Sequence, residues 1–184
     1  TKVELEGEIK KIYVGERLIE AKTVIISTGA SSAMLKVGEE KYIGRGVSTC
    51  AVCDAAFFRD KITYVVGGGD AAMEDALALA KYAKEVYIVH RKDSFRASKI
   101  MQDRVLSHPK IKVLWKAEVK EVKGDKKIEQ VKVNDNWVNA DGLFIAIGRF
   151  PATQLFRDKL EFDERGFLLT GVNGGVEVDW LDVY

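Results

Sequence analysis

Both cysteines of this chain stand in one short motif, Thr49-Cys50-Ala51-Val52-Cys53-Asp54. Two residues between cysteines is the spacing at which a thiol pair can close a reversible disulfide. Such a pair needs an acid or base at hand, because the thiolate attacks and the departing sulfur must take a proton. Asp54, directly after Cys53, is placed to move that proton. A structural zinc site would need a second ligand pair, and the two histidines, His90 and His108, lack the close spacing of metal ligands. No metal is therefore expected. Two inert buried thiols are the plainer alternative.

Beyond the cysteines, the run Ile62-Thr63-Tyr64-Val65-Val66 leads into Gly67-Gly68-Gly69-Asp70-Ala71-Ala72. A strand, a Gly-x-Gly-x-x-Ala turn and a helix form the unit that holds a dinucleotide pyrophosphate. Gly67 permits the tight turn, Gly69 lets backbone approach the phosphates, and Ala72 lets helix and strand pack closely. The helix start offers free N–H groups, and Asp70 is expected to cap it. An NAD site carries an acidic residue about 20 residues further on. This chain has His90-Arg91-Lys92-Asp93-Ser94-Phe95-Arg96 there, positive groups suited to a 2′-phosphate, so NADP is favoured over a merely solvated basic loop. Thiol pair and nucleotide turn together imply electron transfer from a nicotinamide cofactor into a dithiol.

The elements that must position these groups follow from apolar spacing. Residues 3–9, 11–14 and 23–27 read as strands, with a turn at Gly15 and Val24-Ile25-Ile26 as a buried parallel strand. Residues 62–66, 86–89, 111–115 and 143–148 read as further strands. A helix is expected from about residue 71 to 83, with Met73, Leu77 and Ala80 on its buried face. A second is expected over 98–107, with Ile100, Met101, Val105 and Leu106 facing inward and Pro109 as its stop. Residues 118–122 and 128–133 alternate around Gly124-Asp125, a hairpin signal. The sum is an α/β chain: a Rossmann-like β-α-β-α-β unit with a β-meander appended.

Composition narrows the field. The 29 basic and 28 acidic residues nearly cancel, so no nucleic-acid or membrane electrostatics are expected. No apolar stretch approaches the ~20 residues that cross a bilayer. Two cysteines are too few for a disulfide-stapled secreted fold, which favours a reducing cytoplasm.

Taken together, these residues resemble the low-molecular-weight thioredoxin reductases, flavoproteins of the pyridine nucleotide-disulfide oxidoreductase family. The likeness rests on Gly44-Arg45-Gly46-Val47-Ser48-Thr49 leading into the cysteine motif, on the glycine turn, on His90 to Arg96 continuing as Ala97-Ser98-Lys99, and on residues 142–148. Thr28-Gly29-Ala30 resembles the element at which that family leaves its FAD domain. The resemblance extends from residue 3 to about 169. It implies a relay in which NADPH reduces FAD, the flavin reduces the disulfide, and the dithiol reduces a thioredoxin-like partner, commonly in a homodimer. It implies Cys50 and Cys53 as the redox pair and Asp54 as the acid-base residue. Gly67, Gly69, Asp70 and Ala72 would serve the pyrophosphate, Glu74 the nicotinamide, and His90, Arg91, Lys92 and Arg96 the 2′-phosphate. Ile147 and Gly148 join the cofactor-binding set, and Thr28 and Gly29 sit on the FAD side.

The same resemblance divides the chain into a partial FAD-domain segment at 1–32, an NADPH-binding domain at 33–149, and an incomplete return segment at 150–184. The family's first GxGxxG and its C-terminal Gly-Asp segment are missing from this sequence. FAD is therefore not expected to be held tightly by this chain alone, and binding without turnover is expected of it. Ala55 stands where glycine is common, and Lys92 replaces an arginine, keeping charge without the bidentate fork. Two rival readings are the flavoprotein reductase of the alkyl hydroperoxide system, which shares the core motifs, and a non-catalytic NADP-binding module.

Overall fold

The structure is a computed structural model in which residues 1–170 are described. In chain order its strands and helices are β1 (Lys2–Glu4), β2 (Lys10–Val14), β3 (Arg17–Ala21), β4 (Ala30–Ser32), β5 (Val47–Ser48), α1 (Ala51–Asp54), β6 (Ile62–Gly67) and α2 (Asp70–Ala80). There follow β7 (Glu85–His90), α3 (Lys99–Leu106), β8 (Ile111–Trp115), β9 (Val119–Lys123), β10 (Gln130–Val133), β11 (Asn136–Asn139), β12 (Gly142–Ala146) and β13 (Arg149–Pro151). The described residues form two compact units, one of residues 1–31 with 149–170 and the other of residues 32–148.

In the larger unit a five-stranded sheet has the order β5-β12-β6-β7-β8, and every pairing in it is parallel. Successive side chains of a strand point to opposite faces, and both faces here are apolar. Val65, Ile88 and Phe144 join α2 and α3 in one core through Met73, Leu79 and Val105. Their neighbours Tyr64, Val66, Val89, Leu143 and Ile145 pack on the other side with Val119, Val122, Ile128 and Val131 of the meander region. The β9-β10-β11 meander thus covers the face that the helices leave open. This is the Rossmann-like α/β architecture with an appended meander that the sequence implied.

The chain runs from β6 outward through β7 to β8, and returns much later to place β12 on the other side of β6. That reversal makes the carboxyl ends of β6 and β12 the switch point at which open α/β sheets bind ligands. Gly67 closes this corner: a Cβ there would stand 2.5 Å from the Ala146 carbonyl oxygen and 2.7 Å from the Ala72 Cβ.

In the smaller unit β1, β2 and β3 form an antiparallel meander. The first strand is far shorter than residues 3–9, and β3 was not foreseen. Residues 23–27 are not a strand. No ladder bonds form along them among the described residues, and Ile25 is 82% exposed. A β-branched run becomes a strand only where a neighbour supplies hydrogen bonds. In the larger unit, Ile100 and Leu106 of α3 are exposed rather than inward, because this short helix meets the sheet through Val105 and Met101. The hairpin of 118–122 and 128–133 exists as β9 and β10, and β11 adds a strand to it. The part of the return segment at 171–184 lies outside the described residues.

Candidate cofactor and disulfide site

A cavity of about 540 Å³ opens at the carboxyl ends of β6, β7 and β12. Gly67, Gly68 and Ala146 line it together with His90, Arg91, Lys92 and Arg96. Arg91, Lys92 and Arg96 are exposed, and among the described residues none lies at ion-pair distance from a carboxylate. Lys120, which also lines the cavity, is paired with Glu118. That contact with Lys120, helped by Arg91, holds the Glu118 carboxyl below its ordinary range. Three cations without a close carboxylate thus stand together in the loop where a 2′-phosphate was expected.

The loop rests on an aromatic cluster. His90 is buried, and its Nε2 lies 2.9 Å from the Ser94 carbonyl oxygen, to which it donates. Its ring centroid stands 5.3 Å from Phe95 and 6.0 Å from Trp115. The imidazole also covers Gly68, where a Cβ would come within 2.1 Å of its Cε1. His90 is thus a packing element beneath the cation loop as well as part of the cavity wall.

Gly69 has the opposite surroundings, with nothing within 4 Å of where a Cβ would stand. It is the N-cap of α2, in extended conformation, with open space above it. Asp70 is not the cap. It is the first helical residue, and no side chain caps α2. Its Oδ1 instead accepts the Ser98 backbone N–H at 2.9 Å and the Ser98 hydroxyl at 2.8 Å. The Ser98 N–H, and then the hydroxyl, hold the Asp70 carboxyl below the usual carboxylate value. Ala72 is fully buried against Gly67, as the motif requires, and Glu74 is exposed on the next turn of α2. An open approach at Gly69, a helix start and three available cations fit a phosphorylated dinucleotide.

Cys50 and Cys53 form a closed disulfide. Cys50 is the N-cap of α1, and its Sγ accepts the Cys53 N–H at 3.3 Å. Cys53 is exposed, Cys50 half-buried, and the half-buried Asp54 follows on the same turn. The segment beyond is anchored by Phe58, which meets Phe144 edge-on at 5.0 Å and occupies the space a Cβ on Gly142 would need. Val52 and Phe57, by contrast, are exposed beside the cysteines.

Of the residues expected from the sequence, Gly67, His90, Arg91, Lys92, Arg96 and Ile147 share the cavity. The cysteines and Asp54 stand apart from its lining, on a turn packed against α2. Gly148 lies where the chain leaves the larger unit, its carbonyl oxygen accepting the Ala33 N–H at 2.9 Å. Thr28 and Gly29 belong to the smaller unit, where the Gly29 carbonyl oxygen accepts the Ala152 N–H.

Two residues had no sequence signal. Asp75 on α2 accepts the Ala51 N–H and so ties the helix to the disulfide turn. Glu39 is fully buried, and its carboxylate accepts the N–H groups of Leu35, Lys36 and Val37 at 2.5, 2.9 and 2.7 Å. It thereby shapes the Met34-to-Val37 wall of the cavity. A glutamate after a glycine looks like any surface residue until its burial is seen. Among the described residues no group of histidine, cysteine or acidic side chains is arranged to hold a metal, and no helix is long and apolar enough to cross a membrane.

Comparison with known proteins gives this geometry a context. A thioredoxin reductase of Mycolicibacterium smegmatis is 43% identical over 173 residues, covering 90% of this chain and 56% of that protein. Thioredoxin reductase 2 of Arabidopsis thaliana is 44% identical, covering 92% of this chain and 48% of its own length. The crystal structure of thioredoxin reductase from Streptococcus pyogenes superposes with a TM-score of 0.81 at 42% identity, over 94% of this chain and 58% of that one. This chain therefore spans about half to three-fifths of the length of such relatives. The family described as pyridine nucleotide-disulphide oxidoreductase matches residues 1–184, and the chain belongs to it.

Proposed function

We propose that this chain carries the NADPH-binding and dithiol part of an NADPH-dependent flavoprotein disulfide reductase, which reduces thioredoxin or a similar disulfide protein. The observation that supports this most strongly is a closed Cys50–Cys53 disulfide on a turn packed against α2, the helix that opens at the nucleotide turn. In this reading residues 33–149 are the NADPH domain, and residues 1–32 and 150–184 are pieces of the FAD domain. The relatives' own name favours thioredoxin as partner over the hydroperoxide system, and favours an enzyme over a binding module. A cytoplasmic setting and a homodimeric whole protein belong to the same proposal.

When bound, the nicotinamide and flavin cofactors would supply the electron pair that reduces the disulfide. The rest belongs to the residues of this chain. Arg91, Lys92 and Arg96 would hold the 2′-phosphate, and the helix start at Gly69 would serve the pyrophosphate. Glu74, exposed on α2, would serve the nicotinamide. Two electrons break the Cys50–Cys53 bond, and two protons complete the thiols. A thiolate of the pair then attacks the partner's disulfide, forming a mixed disulfide and expelling one partner thiolate, which is protonated. The second cysteine attacks the mixed bond, which restores Cys50–Cys53 and releases the partner as a dithiol. Asp54 serves as the local proton carrier.

Calorimetric titration of the 184-residue chain with NADP⁺ and with NAD⁺ tests the nucleotide half. NADP⁺ is expected to bind more tightly, and replacing Arg91, Lys92 or Arg96 by Gln should each weaken NADP⁺ about tenfold while sparing NAD⁺. Equal binding of the two nucleotides overturns the assignment. For the flavin half, the chain is incubated with FAD, desalted and mixed anaerobically with NADPH. A retained flavin band that bleaches would show a working relay within this chain. No retained band with intact NADP⁺ binding matches the expected dependence on further FAD-domain sequence.

A further inference from the structure

Two polar residues, each at the start of a helix, leave their own helices uncapped and bond to one another. Asp70 opens α2 but does not cap it, and Ser98 is the N-cap of α3 with no side-chain cap bond. The Asp70 Oδ1 accepts both the N–H and the hydroxyl of Ser98. The Gly68 carbonyl oxygen, two residues earlier, accepts the N–H groups of Arg96 at 2.7 Å and Ala97 at 3.2 Å. The far end of the same loop begins at His90, whose ring lies over Gly68. Both ends of the cation loop therefore meet two residues of the glycine turn, Gly68 and Asp70.

We propose that the Asp70–Ser98 pair is a clamp that sets the preference for NADP(H) over NAD(H), by holding the cation loop in register with the glycine turn. The proposal rests on reading the cavity as an NADPH site. A 2′-phosphate must meet Arg91, Lys92 and Arg96 while the pyrophosphate of the same molecule meets the turn. A loop already ordered against that turn needs no ordering on binding, and the loss that ordering would cost falls only on a ligand that uses the loop. NAD(H) lacks the 2′-phosphate and takes its affinity from the turn. Asp70 is held ionised by Ser98, so its acceptor role persists at neutral pH.

The Asp70 carboxylate also stands near a site meant for phosphates, where an uncompensated negative charge would repel them. The clamp and simple repulsion therefore make opposite forecasts for Asp70→Ala. The clamp forecasts weaker NADP⁺ binding, and repulsion forecasts tighter binding.

The test is calorimetry of the 184-residue chain with NADP⁺ and NAD⁺ for the unaltered protein, Ser98→Ala, Ser98→Thr and Asp70→Ala, with urea midpoints recorded for each. Ser98→Ala should lose about tenfold in NADP⁺ affinity and leave NAD⁺ affinity within about twofold. Ser98→Thr, which keeps the hydroxyl, should restore the preference. An unchanged NADP⁺-to-NAD⁺ ratio in Ser98→Ala overturns the clamp, as does equal weakening of both nucleotides or tighter NADP⁺ binding by Asp70→Ala. If the unaltered chain itself shows no NADP⁺ preference, the failure belongs to the NADPH assignment instead.

Discussion

The Asp75 carboxylate accepts the backbone N–H of Ala51 at 3.1 Å, joining the middle of α2 to the residue that follows Cys50. Ala51 is fully buried, so its N–H has no recourse to solvent. Removing the acceptor leaves a buried donor unsatisfied, which costs about 1–3 kcal/mol. Asp75→Ala should lower unfolding stability in urea by that order with the disulfide closed. Asp75→Asn, which keeps an acceptor oxygen, should recover most of it.

Gly68 and His90 form a pair defined by space. An alanine at Gly68 would put its Cβ inside the imidazole, so His90 must swing out and take its contacts with Phe95 and Trp115 with it. Overpacking of this kind costs about 1–3 kcal/mol. Gly68→Ala should be destabilised accordingly. In Gly68→Ala with His90→Ala the clash has no second partner, so the combined loss should fall short of the sum of the two single losses. A strictly additive double-mutant cycle would show that the two residues do not meet.

The two sulfurs differ in access. Cys53 is exposed, whereas Cys50 is half-buried and accepts a backbone N–H. After reduction, a bulky maleimide should therefore label Cys50→Ser, which retains Cys53, several-fold faster than Cys53→Ser. Equal rates, followed by mass spectrometry, would remove exposure as the basis for choosing the sulfur that a protein partner reaches first.

Alkaline pH should weaken the fold, in part through the buried Tyr64. Burial, aided by Tyr87 and Glu85, pushes the Tyr64 hydroxyl from 10.0 up to about 12. The folded chain thus keeps this proton longer than the unfolded chain does. The associated stability is complete below 10.0 and is lost as pH rises toward about 12. Urea midpoints measured at about pH 9 and about pH 11 should fall across that window, and less so in Tyr64→Phe.

Much of the fold was legible because it depends on neighbours in the chain. The run before Gly67, the turn and the periodic apolar face after it specify strand, turn and helix through local sterics and burial. The failures were long-range. Residues 23–27 have strand composition, yet no described strand lies alongside to complete their hydrogen bonds. Ile100 and Leu106 have helical spacing, but the sheet meets only the part of α3 around Met101 and Val105.

The sequence by itself determined which groups are present: a thiol pair at disulfide spacing, a carboxylate beside it, a glycine turn, and a cluster of cations. These are properties of residue type and close spacing, and no folding is needed to recognise them. Only the tertiary structure decided how they are held. Asp70 clasps Ser98 from 28 residues away instead of capping its own helix. Asp75 reaches back 24 residues to the disulfide turn, and Glu39 is buried beneath the cavity wall. A polar side chain satisfies whichever donor lies within about 3 Å, and which donor that is depends on how distant segments pack.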